Sequence, residues 1–427
     1  MLPTFLIMAV PFVVTLSVNA APTDDCDGAF ASHRGVSGLY LRVDAPTRTN
    51  LAGDGGVAGG GCDAIATGLL DPGPVWRDGN RLYVGNTKDN TAKTITIIDV
   101  SVAGAEFVVE TVPTPVNPVD IAVAFDRLYV IDQDRNKLYS RPLAGGEWTF
   151  LAIPNGTITE WDYGHIIEPF GDRMYVIHQW ENKITVVNLV TNAIETTITN
   201  LDHLPDRIVF VDDGGVDTMV VLGVGLDAPS CAANGPNFSV FDLATNQKLY
   251  RKSIAGACPS ELLADDEHVY VFFDNKIRRY DLATGAFEDE LAVASIGRNA
   301  VHRGTDIVGQ RYNGEIVTID LALVGFDVVC DLVTGQQVWF PPIEQMVAMP
   351  ESDGRVFVTN RNNNTTDRVS LAAPCPADLD VDGGVGPGDL GILLGAWGGA
   401  GPADLSGDGA VGAEDLGLLL GAWGACG

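Results

Sequence analysis

Positive charge is what this chain has least of. Its 427 residues carry 26 Lys and Arg against 56 Asp and Glu, a formal net charge of -30. Such a surface repels nucleic-acid phosphates and anionic lipid, so no nucleic-acid partner is expected. Histidine is also scarce, with six in all, and none falls in a His-Glu-x-x-His pattern. No Cys-x-x-Cys pair occurs, which argues against a zinc ribbon or a thioredoxin-like centre. A Ser-nucleophile elbow is missing as well. The Gly-rich "AGDGGVAGGGC" near residue 55 lacks the Gly-Lys-Ser/Thr ending of a phosphate loop and reads as a flexible surface loop. Beyond the first twenty residues there is no apolar run of about 20, so no membrane span is expected.

The first residues, "MLPTFLIMAVPFVVTLSVNA", are apolar and end on small side chains. They read as a signal peptide over residues 1–20, although the segment has no Lys or Arg before its apolar stretch. Export makes the seven cysteines disulfide candidates. Proximity pairs Cys26 with Cys62, Cys231 with Cys258 and Cys375 with Cys426. That leaves Cys330, within the apolar "FDVVCDLVTG", as a buried free thiol. Sequence alone does not fix this pairing.

Between residues 22 and 373 one pattern recurs: a turn, a short β-rich run, a polar loop and a second β-rich run. Examples are "NRLYVGNTKDNTAKTITIIDV", "DRLYVIDQDRNKLYSRPL" and "EHVYVFFDNKIRRYDLATG". Tyr83, Tyr129 and Tyr175 recur at a spacing of 46 residues, and Met219, Tyr270, Ile307 and Phe357 continue the series less regularly. "NLVTN" at 188, "DLATN" at 242, "DLATG" at 281 and "DLVTG" at 331 each put Asn or Gly where a tight hairpin needs positive φ. The leading Asp or Asn can bond turn amides.

Multi-strand repeats of this length predict an all-β propeller. "MYVIHQWENKITVVNLVTNAIETTI" and "VFVTNRNNN" resemble the YVTN family of propeller repeats over most of residues 80 to 372. The last unit stops one strand short after "DRVSLA", and the isolated early strand "SGLYLRV" at 37–43 is expected to complete it. Seven blades follow, with six or eight also compatible. A β-sandwich array explains the regular spacing less well.

The tail, residues 375–427, is a duplication. "PADLDVDGGVGPGDLGILLGAWG" nearly repeats as "PADLSGDGAVGAEDLGLLLGAWG", 26 residues on. On the twelve-residue calcium-loop template the first copy offers Asp378, Asp380, Asp382, the Gly384 carbonyl and Asp389. The second offers Asp404, Ser406, Asp408, the Ala410 carbonyl and Asp415. Calcium is a hard cation that takes six to eight oxygens, so alternating carboxylates in a tight loop suit it. Two calcium ions are expected, the second held more weakly because Ser406 replaces a carboxylate. Val385 and Val411 at position 8 could pair the two loops. After each loop the apolar period turns helical: Leu390, Leu393, Leu394 and Trp397, then Leu416, Leu419, Leu420 and Trp423. Two such stripes are expected to bury each other around the tryptophans.

A calcium loop followed by a helix, with Asp at position 12 and no leading helix, resembles the dockerin domain. Cys375 and Cys426 resemble the clasp of the GC-type variety. The resemblance implies noncovalent docking onto a cohesin-like receptor in an extracellular or cell-surface assembly, often one that degrades polysaccharide. It departs at positions 10 and 11, where Pro387-Gly388 and Ala413-Glu414 replace the frequent Ser/Thr pair.

The propeller is then a module that binds a carbohydrate or protein. The alternative is a hydrolase or lyase acting on a polysaccharide or lactone. For that reading the candidates are His165, His203 and Glu160, with Trp161, Asp162 and His178 near them. The plainer assignment makes His178 a strand residue and the others parts of solvated turns, and makes Trp148, Trp161 and Trp180 blade-packing residues.

Overall fold

In the computed structural model the described residues are 61–427, apart from 88–91, 132–135, 155–165, 200, 202–203, 212–216, 225–235, 255–258, 274, 304–305, 312–313, 333–342, 350–353, 362, 372–376, 380–383, 400, 402, 407–408 and 426–427. Seven four-stranded antiparallel sheets form a seven-bladed propeller. The first described strand, β1 (Gly61–Ala66), belongs to the last blade. Blade 1 is β2 (Pro72–Asp78), β3 (Arg81–Asn86), β4 (Thr94–Asp99) and β5 (Phe107–Pro113). Blade 2 is β6 (Asp120–Ala124), β7 (Arg127–Ile131), β8 (Lys137–Pro142) and β9 (Thr149–Ala152). Blade 3 is β10 (Ile167–Phe170), β11 (Arg173–His178), β12 (Lys183–Asn188) and β13 (Ala193–Thr199). Blade 4 is β14 (Leu204–Val211), β15 (Thr218–Val224), β16 (Asn237–Asp242) and β17 (Gln247–Ser253). Blade 5 is β18 (Pro259–Ala264), β19 (His268–Phe273), β20 (Lys276–Asp281) and β21 (Phe287–Ala292). Blade 6 is β22 (Ile296–Arg303), β23 (Asp306–Arg311), β24 (Glu315–Asp320) and β25 (Phe326–Asp331). Blade 7 is β26 (Ile343–Ala348), β27 (Arg355–Asn360) and β28 (Thr365–Ser370), with β1 outermost.

The recurring Tyr positions are the second strands. Tyr83, Tyr129, Tyr175, Met219, Tyr270, Ile307 and Phe357 lie on β3, β7, β11, β15, β19, β23 and β27, all buried. Side chains alternate along a strand, so the position within it decides which seam a marker fills. Tyr83, Tyr129, Tyr175, Tyr270 and Phe357 stand third in their strands and pack toward the following blade. Met219 and Ile307 stand second and pack toward the preceding one. Each of the seven blade-to-blade seams holds its own apolar cluster, including the seam of blades 7 and 1.

The expected turns form as argued at three sites. Asn192, Asn246 and Gly285 have φ of 50°, 55° and 67°. The Oδ1 atoms of Asn188, Asp242 and Asp281 accept the Thr191, Thr245 and Thr284 amides at 2.8, 2.8 and 2.7 Å. The fourth copy, "DLVTG" at 331, is different. Asp331 ends the outer strand of blade 6 rather than its third. The equivalent turn there follows Asp320, with Leu323 at φ 56°.

Two expectations are corrected where the ring closes. The strand that completes blade 7 is Gly61–Ala66, whose Cys62 lies opposite Val369 and whose Asp63 lies opposite Arg368. Only residues 67–71 join it to blade 1, and so short a link leaves it no other sheet edge to reach. Residues 37–43 lie outside the described residues. Gly61 and Cys62, the end of the Gly-rich stretch, open this strand. Cys330 is not a free thiol. It is bonded to Cys62, with Cα atoms 6.0 Å apart, so Cys62 does not pair with Cys26. Cys26, Cys231, Cys258, Cys375 and Cys426 lie outside the described residues.

The bond ties β1 to β25, the outer strand of the preceding blade, across 268 residues of sequence. A cross-link over so long a loop stabilises by about 2–4 kcal/mol, largely through the unfolded chain. The double variant C62S/C330S is therefore expected to unfold at lower urea with a steeper slope, because the unfolded chain without the bond exposes more surface. An unaltered midpoint would show that strand pairing alone closes the ring.

Candidate functional site

Around the propeller axis the innermost strands set one equivalent position in every blade. It directly precedes the residue that lies opposite the fourth residue of the second strand: Val75, Ile121, Ile167, Ile208, Leu262, Ala300 or Met346. The position holds Pro74, Asp120, Ile166, Arg207, Glu261, Asn299 and Gln345, all buried. Its polar members reach across seams. Gln345 Oε1 accepts the Val75 amide of blade 1 at 2.8 Å. Asp120 Oδ2 accepts the Ile166 and Ile167 amides of blade 3 at 2.5 and 2.9 Å, while its Oδ1 accepts its neighbour Ile121 at 2.9 Å. Arg207 of blade 4 places Nε 3.4 Å from Glu261 Oε1 of blade 5 and Nη1 3.5 Å from Asp206 Oδ2. Gln179 of blade 3 donates to Asp206 Oδ1 at 3.0 Å. These groups bridge blades 7–1, 2–3, 3–4 and 4–5, so their chemistry is structural. Sequence reading passed over them. The signal is a polar residue directly before an apolar run, as in "VDIAVA" and "SELLA".

The enzyme candidates His165, His203 and Glu160 lie outside the described residues, as do Trp161 and Asp162. His178 is an ordinary buried strand residue whose Nε2 is 3.0 Å from Thr185 Oγ1. Trp148 packs against the seam of blades 1 and 2 and donates Nε1–H to the Pro113 carbonyl at 3.0 Å. Nothing is described of the Trp180 side chain. Among the described residues no three His, Cys, Asp or Glu side chains are grouped to hold a metal.

The tail is built in two like halves. Helix α1 (Pro387–Gly395) follows the first loop and α2 (Ala413–Gly421) the second. Pro387 at the first helical position suits its fixed φ. Asp389 and Asp415 turn inward and are buried. Asp389 accepts the Leu379 and Gly386 amides at 2.5 and 2.6 Å, and Asp415 accepts Ser406 and Gly412 at 2.8 and 2.6 Å. The Ser406 and Gly412 amides hold the Asp415 carboxyl below the usual carboxylate range. Each carboxylate thus ties its loop to its helix. Between loop positions, Asp404 Oδ2 accepts the Gly409 amide at 2.8 Å, and Ser406 Oγ lies 3.4 Å from Asp404 Oδ1. Asp380, Asp382 and Asp408, which complete both ligand sets, lie outside the described residues. Of the others, the structure places Asp378 and Gly384 in the first loop, and Asp404, Ser406 and Ala410 in the second.

Two tail expectations are corrected. Val385 and Val411 do not pair with each other. A two-residue bridge joins β29 (Gly384–Val385) to β30 (Gly424–Ala425), after α2. Val411 instead exchanges hydrogen bonds with Gly398 and Gly399, after α1. Each loop therefore clasps the end of the other unit's helix. Nor is the core gathered around the tryptophans. It consists of Ala377, Val385 and Leu393 with their counterparts Ala403, Val411 and Leu419. Leu394, Trp397, Leu420 and Trp423 are 51, 48, 52 and 47 % exposed. The cause is the position-12 carboxylate. Turning Asp389 inward rotates α1 until Leu393 and Ala396 face the core and Leu394 and Trp397 face out, at about 100° per residue.

Two variants test these roles. Asp120→Ala leaves three amides without their acceptor and is expected to cost about 2–4 kcal/mol in denaturant unfolding, with Asp120→Asn milder. A cost below about 0.5 kcal/mol would remove Asp120 from the bridging role. For the tail, the folded-state depression of Asp415 contributes stability above the ordinary carboxylate range, near pH 4, and that contribution is lost as pH falls below it. Asp415→Asn should flatten the acid limb of the helix signal between about pH 5 and 2.

The chain matches no family model, and no curated relative matches it. Among solved structures it is similar to hydrazine synthase of Kuenenia stuttgartiensis, at a TM-score of 0.58 and 15% identity. That match covers 72% of this chain and 97% of the other. At this identity the likeness shows the fold alone, a seven-bladed β-propeller.

Proposed function

We propose that this is an exported, calcium-stabilised recognition protein. Its YVTN-type propeller binds a carbohydrate or protein ligand, and its dockerin-like tail docks onto a cohesin-like receptor of a cell-surface or extracellular assembly. The observation that carries the reading is the tail's surface. Ile392, Leu394 and Trp397 recur 26 residues on as Leu418, Leu420 and Trp423, and all six stay about half exposed. A small unit that leaves two tryptophans and four aliphatic side chains in water has the surface of a docking module. The Cys62–Cys330 bond supports an oxidising compartment. Among the described residues no helix is long and apolar enough to cross a membrane.

The donor set fits calcium. The tail has eight acidic residues and no Lys or Arg, and two of its carboxylates, Asp389 and Asp415, are buried. A bound cation would offset the tail's net negative charge, which no Lys or Arg of the tail balances. Asp378, Asp380, Asp382, the Gly384 carbonyl and Asp389 would hold one ion. Asp404, Ser406, Asp408, the Ala410 carbonyl and Asp415 would hold the other. When bound, calcium supplies charge neutralisation and cross-links each loop to its helix.

Calcium titration of the chelator-stripped full chain is expected to reveal two sites of unequal affinity, the weaker one in the second loop. Asp389→Ala and Asp415→Ala should each remove one. Heat of binding that is absent in the parent chain would end the calcium assignment. For docking, immobilised cohesin domains should retain the calcium-loaded chain, and W397A/W423A should weaken that binding by about tenfold or more. Equal retention of the variant would move docking to another face.

A further inference from the structure

Asp367 is a buried carboxylate that the fold leaves without a cation. It lies on β28, the strand that β1 completes, with Ala64 of β1 opposite on one side and Val358 of β27 on the other. Only 4 % of it is exposed. Val358 and Val369 belong to the apolar cluster between blades 6 and 7, so alternation along the strand turns Asp367 into that seam. Its Oδ2 accepts Nδ2–H of Asn360 at 3.0 Å. Asn360 is itself fully buried and shares that amide with the Leu332 carbonyl at 3.3 Å. Other buried carboxylates are answered more fully. Asp120 takes three backbone amides, Glu261 has Arg207 and Glu315 has Arg311.

The charged groups of the strands around Asp367 are engaged elsewhere. Arg355 and Arg368 reach Glu106, and Arg368 also holds Asp63. Arg361, just beyond β27, pairs with Asp71. Across the seam Arg303 stands 3.9 Å from Asp306, and His302 Nε2 stands 4.0 Å from Asp265 of blade 5. Nothing is described of the Arg298 side chain on β22. The other titratable residues of β24, β25 and β26 are the acids Asp320, Asp327, Asp331 and Glu344, besides Cys330, which is bonded to Cys62. Residues 333–342, which follow Leu332, include no titratable side chain. Burial pushes the Asp367 carboxyl up, against the lowering pull of hydrogen bonds from Thr365 and Asn360.

We infer that the seam between blades 6 and 7 is a pH-sensitive joint, which holds most firmly with Asp367 protonated and loosens when that carboxyl ionises. A charge formed there meets an apolar cluster and one shared amide, and water can solvate it only if the blades part. Because β28 carries the closing strand β1, the loosening falls on the blade that closes the ring. The folded chain binds this proton more tightly than the unfolded chain does. The contribution is therefore full below the ordinary carboxylate value, about pH 4, and is lost as pH rises through the raised folded value.

Asp367→Asn tests the joint, since it keeps the shape and an acceptor for Asn360 but cannot ionise. In urea unfolding of the full chain its midpoint should lie above the parent's at about pH 8, and the gap should close as pH falls toward about 4. Comparing the two chains at each pH cancels the acid response of the tail. A folded variant whose midpoint is at or below the parent's at about pH 8, or a gap that does not change with pH, overturns the inference. If the variant does not fold, hydrogen exchange of the parent decides. Corrected for the intrinsic pH dependence of exchange, protection of the β28 amides should fall between about pH 5 and 8, while that of β15 in blade 4 holds. Equal change in both strands, or none in β28, overturns it as well.

Discussion

Everything in the propeller depends on one antiparallel pairing, that of β1 with β28. A ring of sheets has no natural end, so its last blade must be completed by chain from the other terminus or leave an open strand edge. Here the closing strand is short and poor in β-formers: "GCDAIA". Its own propensity cannot hold it in place. It is held by five paired residues of register, by the bond from Cys62 to Cys330 and by charge. Arg368, opposite Asp63, donates to Asp63 Oδ2 at 2.7 Å and to Glu106 Oε1 of blade 1 at 2.8 Å. Burial pushes the Glu106 carboxyl up, but the Arg368 hydrogen bond, the Glu106 and Gly104 backbone hydrogen bonds and the Arg368 charge together bring it below its ordinary value. Arg355 stands 3.3 Å away on the same carboxylate. Blades 7 and 1 are thus joined by a buried ion cluster as well as by the cluster around Leu82, Val84 and Phe357.

The repeat was legible because its causes are local. A second strand buried on both faces must be continuously apolar, and a tight hairpin must place Asn or Gly at positive φ. The apolar second strand marks every blade and the Asn or Gly turn marks blades 3, 4 and 5, so the propeller class followed from Tyr83, Tyr129, Tyr175 and the turns at Asn192, Asn246 and Gly285, while the spacing allowed six, seven or eight blades. The closing strand was not legible, since its place is set by a five-residue link and a distant cysteine rather than by its own residues. Cys330 misled for a related reason. An apolar neighbourhood suits a buried thiol and a buried disulfide equally well, and only the meeting of blades 6 and 7 distinguishes them. In the tail the ligand spacing and the helical period were both readable. The rotation of α1 was not, because it comes from hydrogen bonds between Asp389 and two loop amides.

Charge shows how the surface is divided. Most of the few cations have a partner within the fold. Arg173 is held by Glu195 at 2.7 Å, and Arg278 by Glu290 at 2.7 Å. Arg279 is held by Glu288 at 3.0 Å, and Arg361 pairs with Asp71. Others lie over aromatic rings, as Lys137 does over Phe150 and Arg311 over Phe326. In most of these pairs the cation stands on the second or third strand of its blade and its partner on the outer one.

That division separates structure from recognition. The polar ring at the axis is committed to amides and to neighbouring side chains of the next blade, and Asp120 alone satisfies three backbone donors. A group so engaged cannot exchange its partners for a ligand without weakening a seam, and every seam carries the ring. The ligand site proposed for the propeller must therefore use surfaces whose polar groups the fold does not require. In the tail the same argument holds with the sign reversed. The apolar side chains its core cannot use are turned outward by the very carboxylates that tie each loop to its helix, so the bonds that fold the module also set which face it offers.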